Sequence, residues 1–214
     1  MVMADTLQDM ITSANENNLF LQCDEPNRNA FRPMPKGFSI RLCRQDELDI
    51  WKGIWAAGKY MDFVNWYYNE VYAPHGDEFF RRVTFAVDEN DKPVATSGIW
   101  HSYGKINTVL LFHVLPEYEG LGIGRGLFTE VLKNAEFPVY AHTHPIANRA
   151  VKLYSDFGFK LITDSVVGYR ENNLQESLPY LKEVLPQKDF ENLQTTNANS
   201  DLLEAALLRE LAEF

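Results

Sequence analysis

The most informative part of the chain runs Val114-Leu-Pro-Glu-Tyr-Glu-Gly-Leu-Gly-Ile-Gly-Arg-Gly-Leu127. It holds four of the twelve glycines within residues 120–126. Residues 106–115 before these glycines form an apolar run typical of a strand buried on both faces, and residues 127–135 after them have the spacing of an amphipathic helix. Glycines at such a junction let the backbone approach a ligand closely, and a helix start favours an anion. This stretch therefore predicts a phosphate-binding loop.

Two common phosphate-binding patterns do not fit this loop. The dinucleotide pattern G-x-G-x-x-G requires glycine at position 125 or 127, where the chain has Arg125 and Leu127. A P-loop requires Gly-Lys-Ser/Thr, which the loop lacks. Taken alone, the glycines fit equally well a structural strand-to-helix turn that binds nothing.

A second segment further along the chain separates these alternatives. It reads Asn148-Arg-Ala-Val-Lys-Leu-Tyr-Ser-Asp-Phe-Gly-Phe159. Together with Val114-x-Pro116 and the glycines that follow, it resembles the paired motifs of the GNAT acyltransferase superfamily. The positions that carry this second resemblance are Ala150, Leu153, Tyr154, Gly158 and Phe159. The resemblance covers residues 38–170.

The resemblance implies an α+β fold with αβα layers. Its mixed, mostly antiparallel central sheet would be flanked by helices and splayed at an acetyl-CoA site. The hydrophobic pattern agrees, since it predicts strands at 38–42, 82–87, 94–101, 106–115, 138–143 and 159–169. It predicts helices at 46–59, 62–71, 127–135, 148–157, 174–184 and 201–214.

The chain divides into three parts on this interpretation. Residues 1–37 form an N-terminal extension with a short helix at 5–11 and turns at 15–18 and 24–27. Residues 38–170 form the acyltransferase domain, and residues 171–214 form a helical, acidic C-terminal extension.

The last predicted helix carries a stripe of Leu203, Leu207 and Leu211 and has Asp201 as its cap. We expect this stripe to cover the domain or to dock a second subunit. Residues 192–200 before it are polar and are predicted to be loose.

Length and composition exclude several classes of protein. The 214 residues suit one domain with appendages, and no apolar run approaches the ~20 residues of a membrane span. The N-terminus shows no signal peptide. Cys23 and Cys43 are too few for a disulfide framework and fit no zinc site, so no metal is expected. These features predict a cytoplasmic protein without a membrane partner.

The net charge of −10 lies mainly near the C-terminus. Residues 171–214 hold nine acidic and three basic residues, whereas residues 38–170 hold sixteen and fourteen. No basic run suggests a nucleic-acid partner. The charge therefore says more about solubility than about substrate.

The resemblance places acetyl-CoA, as cosubstrate, on the glycine loop. The implied contacts are Phe112, Val114, Glu119, Gly120, Leu121, Gly122, Ile123, Gly124, Arg125 and Asn148. Two positions depart from the family pattern. Glu119 replaces the usual Arg or Gln, and we expect it to face solvent because a carboxylate repels a pyrophosphate. Ala147 replaces a frequent Asn, with Asn148 one place later.

The implied reaction is acetyl transfer from acetyl-CoA to a primary amine by direct attack in a ternary complex. Tyr154 is the candidate acid for the CoA thiolate, because its pKa of about 10 exceeds that of a thiol. The backbone N–H of Val114 is the implied donor to the oxyanion. A core tyrosine with a purely structural role is the alternative for Tyr154.

The base is less well defined by the sequence. An amine with a pKa of about 10.4 must lose a proton before it attacks. The family often has an acid or His where this chain has Thr108, which can hold a water but cannot act as a base near neutral pH. His142 is the candidate relay, with His144, His101 and His113 as alternatives. A water chain without a dedicated base also remains open.

Residues 51–80 contain ten of the 28 aromatic residues. In the family this region commonly lines the acceptor site. Trp55, Trp66 and Tyr67 are therefore candidates for holding a cationic amine against their ring faces. The alternative is that these rings belong to the core or to a dimer surface.

Two other functions remain open at this point. A non-catalytic module that binds CoA or acyl-CoA would explain Glu119 and Thr108. A pure interaction protein would use the aromatic segment and the C-terminal part. The sequence does not specify whether the acceptor is a small molecule or a protein amine, or whether the chain forms a homodimer.

Overall fold

A large mixed sheet forms the centre of the protein. The structure, a computed structural model, describes residues 7–56 and 60–214. The strands of this described part are β1 (Leu19–Cys23), β2 (Ser39–Leu42), β3 (Val83–Val87), β4 (Pro93–Ser102), β5 (Ile106–Val114), β6 (Val139–Thr143), β7 (Lys160–Ile162), β8 (Val166–Val167), β9 (Arg170–Glu171) and β10 (Thr195–Thr196). The main sheet has the order β10-β7-β1-β6-β5-β4-β3-β2, and β8 and β9 form a separate hairpin. Pairs β5–β6 and β7–β10 are parallel, and the other pairs are antiparallel.

Helices cover both faces of this sheet. They are α1 (Leu7–Glu16), α2 (Leu48–Ala56), α3 (Met61–Tyr67), α4 (Glu78–Arg82), α5 (Ile123–Lys133), α6 (Asn148–Asp156), α7 (Leu174–Val184), α8 (Gln187–Glu191) and α9 (Ser200–Ala206). The first face packs against α1, α5, α6 and α7, and the second face packs against α2, α3 and α9. Leu21 lies in the core of the first face and Phe20 in that of the second, as the alternation of a strand requires. The predicted layered α+β fold with a mostly antiparallel sheet is confirmed.

Strands β5 and β6 are paired only near their starts. The paired residues are Asn107 with Val139 and Thr108 with Tyr140. In the described part of the chain, β5 continues to Val114 and β6 to Thr143 without further pairing to each other. The two strands therefore diverge and leave a wedge-shaped opening, which we call the β5–β6 gap.

A bulge in β5 lies beside this gap. Thr96 of β4 pairs with His113, but Gly98 pairs with Leu110, so β5 has one extra residue in this stretch. Leu111 within it has a φ of +21°. A bulge bends its strand and increases the local twist. This local geometry accounts for the divergence of β5 from β6.

Strand β1 supplies an inner strand of the sheet from the N-terminal part of the chain. It lies between β6 and β7 and is antiparallel to both. The sequence analysis placed turns around it and did not predict it, because a short strand buried on both faces shows no alternation. The helix predicted at 5–11 continues to Glu16, and its residues 5 and 6 lie outside the described residues. The three-part division of the chain stays a prediction.

Most other predicted elements are found with shifted ends. The helix predicted at 62–71 is α3 followed by a π-helical turn over Tyr68–Tyr72. The predicted end of the preceding helix, Lys59, lies outside the described residues. Helix α5 begins at Ile123, earlier than predicted, because the glycines join its first turns. A Cβ on Gly126 would lie 2.9 Å from the Cα of Met34, so this close contact requires glycine.

The C-terminal prediction is wrong in its second half. Helix α9 ends at Ala206, and Leu207 is 56% exposed, so the leucine stripe does not exist. Glu213 is instead buried, and its backbone N–H donates to the Tyr103 hydroxyl at 3.2 Å. The ring of Phe214 packs against Phe20 on the second face. These contacts join residues that are far apart in sequence, and they replace the end of the predicted helix. A local leucine pattern cannot predict them.

Two smaller C-terminal predictions also differ from the structure. The cap of α9 is Asn199 rather than Asp201, and the Asp201 carboxylate accepts a hydrogen bond from Tyr140 at 2.7 Å. Residues 192–200 were predicted to be loose, but β10 lies within them and pairs with β7 at the sheet edge.

The packing of β1 predicts the effect of Leu21→Ala. Leu21 is 1% exposed, so the truncation leaves a cavity and should lower the free energy of unfolding by about 2–5 kcal/mol. Leu207→Ala at an exposed position is the control and should change it by less than ~0.5 kcal/mol. Chemical denaturation measures both variants. Equal stabilities of the two variants would show that β1 is not part of the core.

Candidate functional site

A groove of about 650 Å³ lies between the end of β5, the glycine loop and α6. It adjoins the β5–β6 gap, because its walls are the diverging end of β5 and the helix that follows β6. We call it the loop groove. Its lining residues are Phe112, His113, Val114, Tyr118, Glu119, Gly120, Gly122, Gly124, Arg125, Ile146, Ala147, Asn148, Arg149, Ala150, Lys152 and Leu153.

The glycines shape the wall of the loop groove. Gly122 is the N-cap of α5 and has a φ of +84°, a conformation that side chains disfavour. A Cβ on Gly124 would lie 3.0 Å from the Phe112 ring and 3.2 Å from a methyl group of Val114. Helix α5 can therefore lie close to β5 with the free N–H groups of its first turn at the groove. This arrangement suits a phosphate.

Most of the predicted cofactor residues meet at this groove. Eight of the ten line it: Phe112, Val114, Glu119, Gly120, Gly122, Gly124, Arg125 and Asn148. The side chain of Leu121 is instead 53% exposed, and that of Ile123 is buried in the core. These two residues can contribute to the groove only through their backbone, and their assignment stays a prediction.

The sequence analysis missed Arg149 and Lys152 as groove residues. Both lie on α6 and line the groove with Leu153. Helical periodicity places Lys152, four positions after Asn148, on the same side of α6, and this signal would have found it; Arg149 follows Asn148 directly and gives no such signal.

Ion pairs hold the charged side chains of the groove. Glu119 on the loop pairs with Arg149 on α6, so this contact bridges the two walls. Glu119 is exposed, as predicted, but it does not face only solvent. Arg125 pairs with Asp156, which also accepts a hydrogen bond from Lys152 at 2.6 Å. The guanidinium of Arg125 therefore ties α5 to α6 rather than standing free beside the loop.

Tyr154 lies behind the groove wall. It is 4% exposed and packs against the rings of Phe112, Phe128 and Phe159. Burial raises the pKa of its hydroxyl. Among the described residues, none forms a hydrogen bond with this hydroxyl. Its hydroxyl is therefore neutral, and Tyr154 adjoins the groove through its neighbour Phe112 without lining it.

The strand pattern sets the direction of the Val114 N–H. The N–H of Leu115 donates to the Val94 carbonyl at 2.9 Å, across the β4–β5 pair. Successive N–H groups of a strand point to opposite edges. The N–H of Val114 therefore points away from β4, toward the β5–β6 gap.

Thr108 lies at the closed end of the gap. It is fully buried, and its hydroxyl is 2.7 Å from the hydroxyl of Ser102. Ser102 in turn donates to the backbone carbonyl of Glu213 at 3.1 Å. Thr108 thus belongs to a closed hydrogen-bonded chain.

His142 lies on β6 past the last pair with β5. Its Nε2 is 2.9 Å from the side-chain oxygen of Asn18. Burial, together with Arg170 and His144, lowers its pKa well below the usual value, so its imidazole is neutral at pH 7. His142 packs near the Phe20 ring, on the second face.

The other histidines occupy different places. His144 stacks against His142, and its Nδ1 is 2.8 Å from the Asn17 carbonyl. His113 lines the loop groove, and burial lowers its pKa. His101 lies 3.2 Å from the side-chain oxygen of Asn107, in a separate groove.

The predicted acceptor residues form part of an aromatic cluster on the second face. The ring of Trp55 is 5.2 Å from that of Tyr67, and Trp66 packs against the same tyrosine. Tyr67 is buried, whereas Trp66 is 49% exposed. Burial raises the pKa of Tyr67. The assignment of these three residues to an acceptor stays a prediction.

The described residues contain neither a metal-binding cluster nor a membrane-spanning helix. No group of three or more His, Cys, Asp or Glu in this part of the chain is arranged to hold a metal ion. Among the described helices, none combines the length and apolar character that crossing a membrane requires.

Comparison with known proteins connects this site to a family. Residues 43–159, more than half of the chain, match the model of the acetyltransferase (GNAT) family. No curated protein matches the chain significantly.

The chain is also similar to solved structures. One is an acetyltransferase from the GNAT family of Colwellia psychrerythraea, with 16% identity and a TM-score of 0.52 over 68% of this chain and 52% of that one. Another is a GCN5-related N-acetyltransferase from Sphaerobacter thermophilus, with 15% identity and a TM-score of 0.43 over 59% of this chain and 42% of that one. The chain thus spans about half the length of these proteins.

The first of these similarities shows a shared fold, and the family match covers both motifs that meet at the loop groove. The chain therefore belongs to the GNAT acetyltransferase family, whose members are acyltransferases that use acetyl-CoA.

Proposed function

We propose that this protein is an N-acetyltransferase that moves an acetyl group from acetyl-CoA to a primary amine within a ternary complex. The observation that carries the proposal is the loop groove, which joins an anion-binding helix start to the β5–β6 gap. In acetyl-CoA, the pantetheine arm separates the pyrophosphate from the thioester at the end of the molecule. The groove offers a place for each.

The residues at the groove fit the phosphates of acetyl-CoA. Free N–H groups of Ile123 and Gly124 in the first turn of α5 can donate to the pyrophosphate. Arg149 and Lys152 on the opposite wall would add positive charge where the phosphates replace Glu119 and Asp156 as their partners. The unpaired edge of β5 offers backbone groups to the amides of the pantetheine arm.

Two groups of this chain support the chemistry at the gap. The N–H of Val114 is directed toward the gap and would stabilise the oxyanion that forms on the thioester carbonyl. The N–C bond forms as the amine attacks, and the C–S bond then breaks. Tyr154 would give its proton to the departing thiolate, and its raised pKa keeps that proton in place until then.

The proton of the attacking amine needs a separate acceptor. His142 is neutral and lies past the last β5–β6 pair, and because its pKa is lowered it would relay the proton of the amine onward to water rather than retain it. Thr108 is committed to Ser102 and is a positioning group in this scheme. The products are an acetamide and CoA thiol.

A non-catalytic CoA-binding module is the second candidate. The pairing of Glu119 with Arg149 across the groove favours it, because this contact neutralises one cation that phosphates would use. The two functions differ in turnover, since only the enzyme releases thiol from acetyl-CoA in the presence of amines.

Tyr154→Phe tests the catalytic role of the hydroxyl. We expect kcat to fall by about 10²-fold or more, because the thiolate loses its acid, while the affinity for CoA stays unchanged. Thiol release from acetyl-CoA with a panel of amines measures kcat. Tyr180→Phe, at another buried tyrosine on α7, is the matched control and should retain activity. A Tyr154→Phe enzyme as fast as the wild type would contradict this role.

Glu119→Gln tests the electrostatics of the groove. We expect CoA to bind about three- to tenfold more tightly at low salt, because a repelling carboxylate is lost and Arg149 is released. Calorimetry measures the affinity, and the gain should shrink as salt is added. Glu117→Gln, outside the groove, is the control. Unchanged or weaker binding by Glu119→Gln would show that phosphates do not lie near this residue.

A further inference from the structure

Arg170 is a mostly buried arginine without an acidic partner. Its guanidinium packs against two phenylalanine rings that touch each other, 4.7 Å from the centre of Phe20 and 5.2 Å from that of Phe214. Within the described part of the chain, it forms no ion pair and no hydrogen bond through its side chain. Some of its surface remains exposed, as expected for a group that lines a cleft.

The β8–β9 hairpin places Arg170 on the second face. The hairpin turns at Gly168, which has a φ of +63° and touches α9 so closely that a Cβ would lie 2.4 Å from the Ala206 carbonyl oxygen. The Tyr169 hydroxyl donates to the Leu207 carbonyl at 3.3 Å and anchors the same turn. Arg170 follows directly and lies over the sheet.

The acidic groups near Arg170 are engaged elsewhere. The Glu213 carboxylate accepts the backbone N–H of Tyr103 and lies 3.2 Å from the guanidinium of Arg209. The Asp201 carboxylate accepts the Tyr140 hydroxyl. No side chain of the described residues therefore neutralises Arg170.

Three further titratable groups around Arg170, namely Tyr67, Tyr103 and His142, are uncharged at pH 7. Burial raises the pKa values of Tyr67 and Tyr103 and lowers that of His142. Burial also lowers the pKa of Arg170, yet a guanidinium stays protonated in proteins. A buried charge is normally paired, and two ring faces hold this cation without neutralising it.

Arg170 lies on the second face near the end of the β5–β6 gap that His142 borders. Phe20, on which it stacks, is 5.0 Å from the ring of His142 at the gap. Its charge acts on Tyr67, a predicted acceptor residue. Arg170 is not part of the loop groove. These neighbours place Arg170 on the second face, on the same side of the sheet as His142 and Tyr67.

We propose that Arg170 binds a carboxylate of the acceptor, so that the substrate is an aminocarboxylic acid rather than a simple amine. The two rings lie on one side of the guanidinium, with centres only 6.0 Å apart, and its N–H edge has no partner among the described residues. A planar carboxylate matches such an edge with two parallel hydrogen bonds. This inference rests on the proposed acetyl transfer, which it makes specific for one class of acceptor.

Matched acceptors test this proposal on the whole 214-residue chain. The probes are glycine, β-alanine, 4-aminobutanoate and the L-α-amino acids, each paired with its carboxamide. Thiol release from acetyl-CoA should give a kcat/KM at least tenfold higher for the best carboxylate than for its carboxamide. Arg170→Gln should bring this ratio close to one with an unchanged KM for acetyl-CoA, and Arg170→Lys should restore part of it. Arg28→Gln, at an exposed arginine over the ring of Phe31, is the matched control.

Calorimetry with the CoA-bound protein separates this proposal from the proposed function. One outcome is that the wild type binds the carboxylate, Arg170→Gln does not, and no amine is acetylated. This outcome would support the anion site at Arg170 and contradict the proposed acetyl transfer. If the wild type showed equal kcat/KM values and equal affinities for a carboxylate and its carboxamide, the carboxylate site would be overturned, even with active turnover. A preference for aminoalkyl phosphates over aminocarboxylates would overturn it as well. The preference of the wild type for carboxylates over carboxamides can be measured even if Arg170→Gln does not fold.

Discussion

Strands β5 and β6 share two paired positions, and the candidate site depends on their separation beyond them. A parallel pair that continued to Val114 and Thr143 would close the sheet and leave no path between its faces. The separation leaves backbone groups of β5 without a strand partner, and buried backbone groups need one. A ligand that inserts there can supply the missing hydrogen bonds. The gap is thus both the weak point of the sheet and the binding site that we propose.

Neighbouring elements keep the gap open. The bulge at Leu111 bends β5 on one side, and β1 holds β6 on the other side through five residue pairs. The glycine loop then lets α5 pack close to the bent strand at Phe112 and Val114. The opening therefore arises from packing around it rather than from missing residues.

The sequence predicted local features of the site better than distant ones. The glycine loop and the motif around Tyr154 are each continuous in sequence, so both could be predicted from the sequence. Eight predicted cofactor residues meet at one groove. Strand β1 carries no periodic signal, and the end of α9 depends on contacts of Glu213 with Tyr103, far away in sequence. Arg170 was missed for the same reason, because its isolation becomes visible only when every acidic neighbour has been placed.

The central claim is that the β5–β6 gap receives the thioester of acetyl-CoA. A crystal structure of the protein with CoA tests it most directly. We expect density for the pyrophosphate at the start of α5 and for the sulfur in the gap, within hydrogen-bonding distance of the Tyr154 hydroxyl. CoA bound elsewhere on the protein, with the gap closed by hydrogen bonds between β5 and β6, would contradict it.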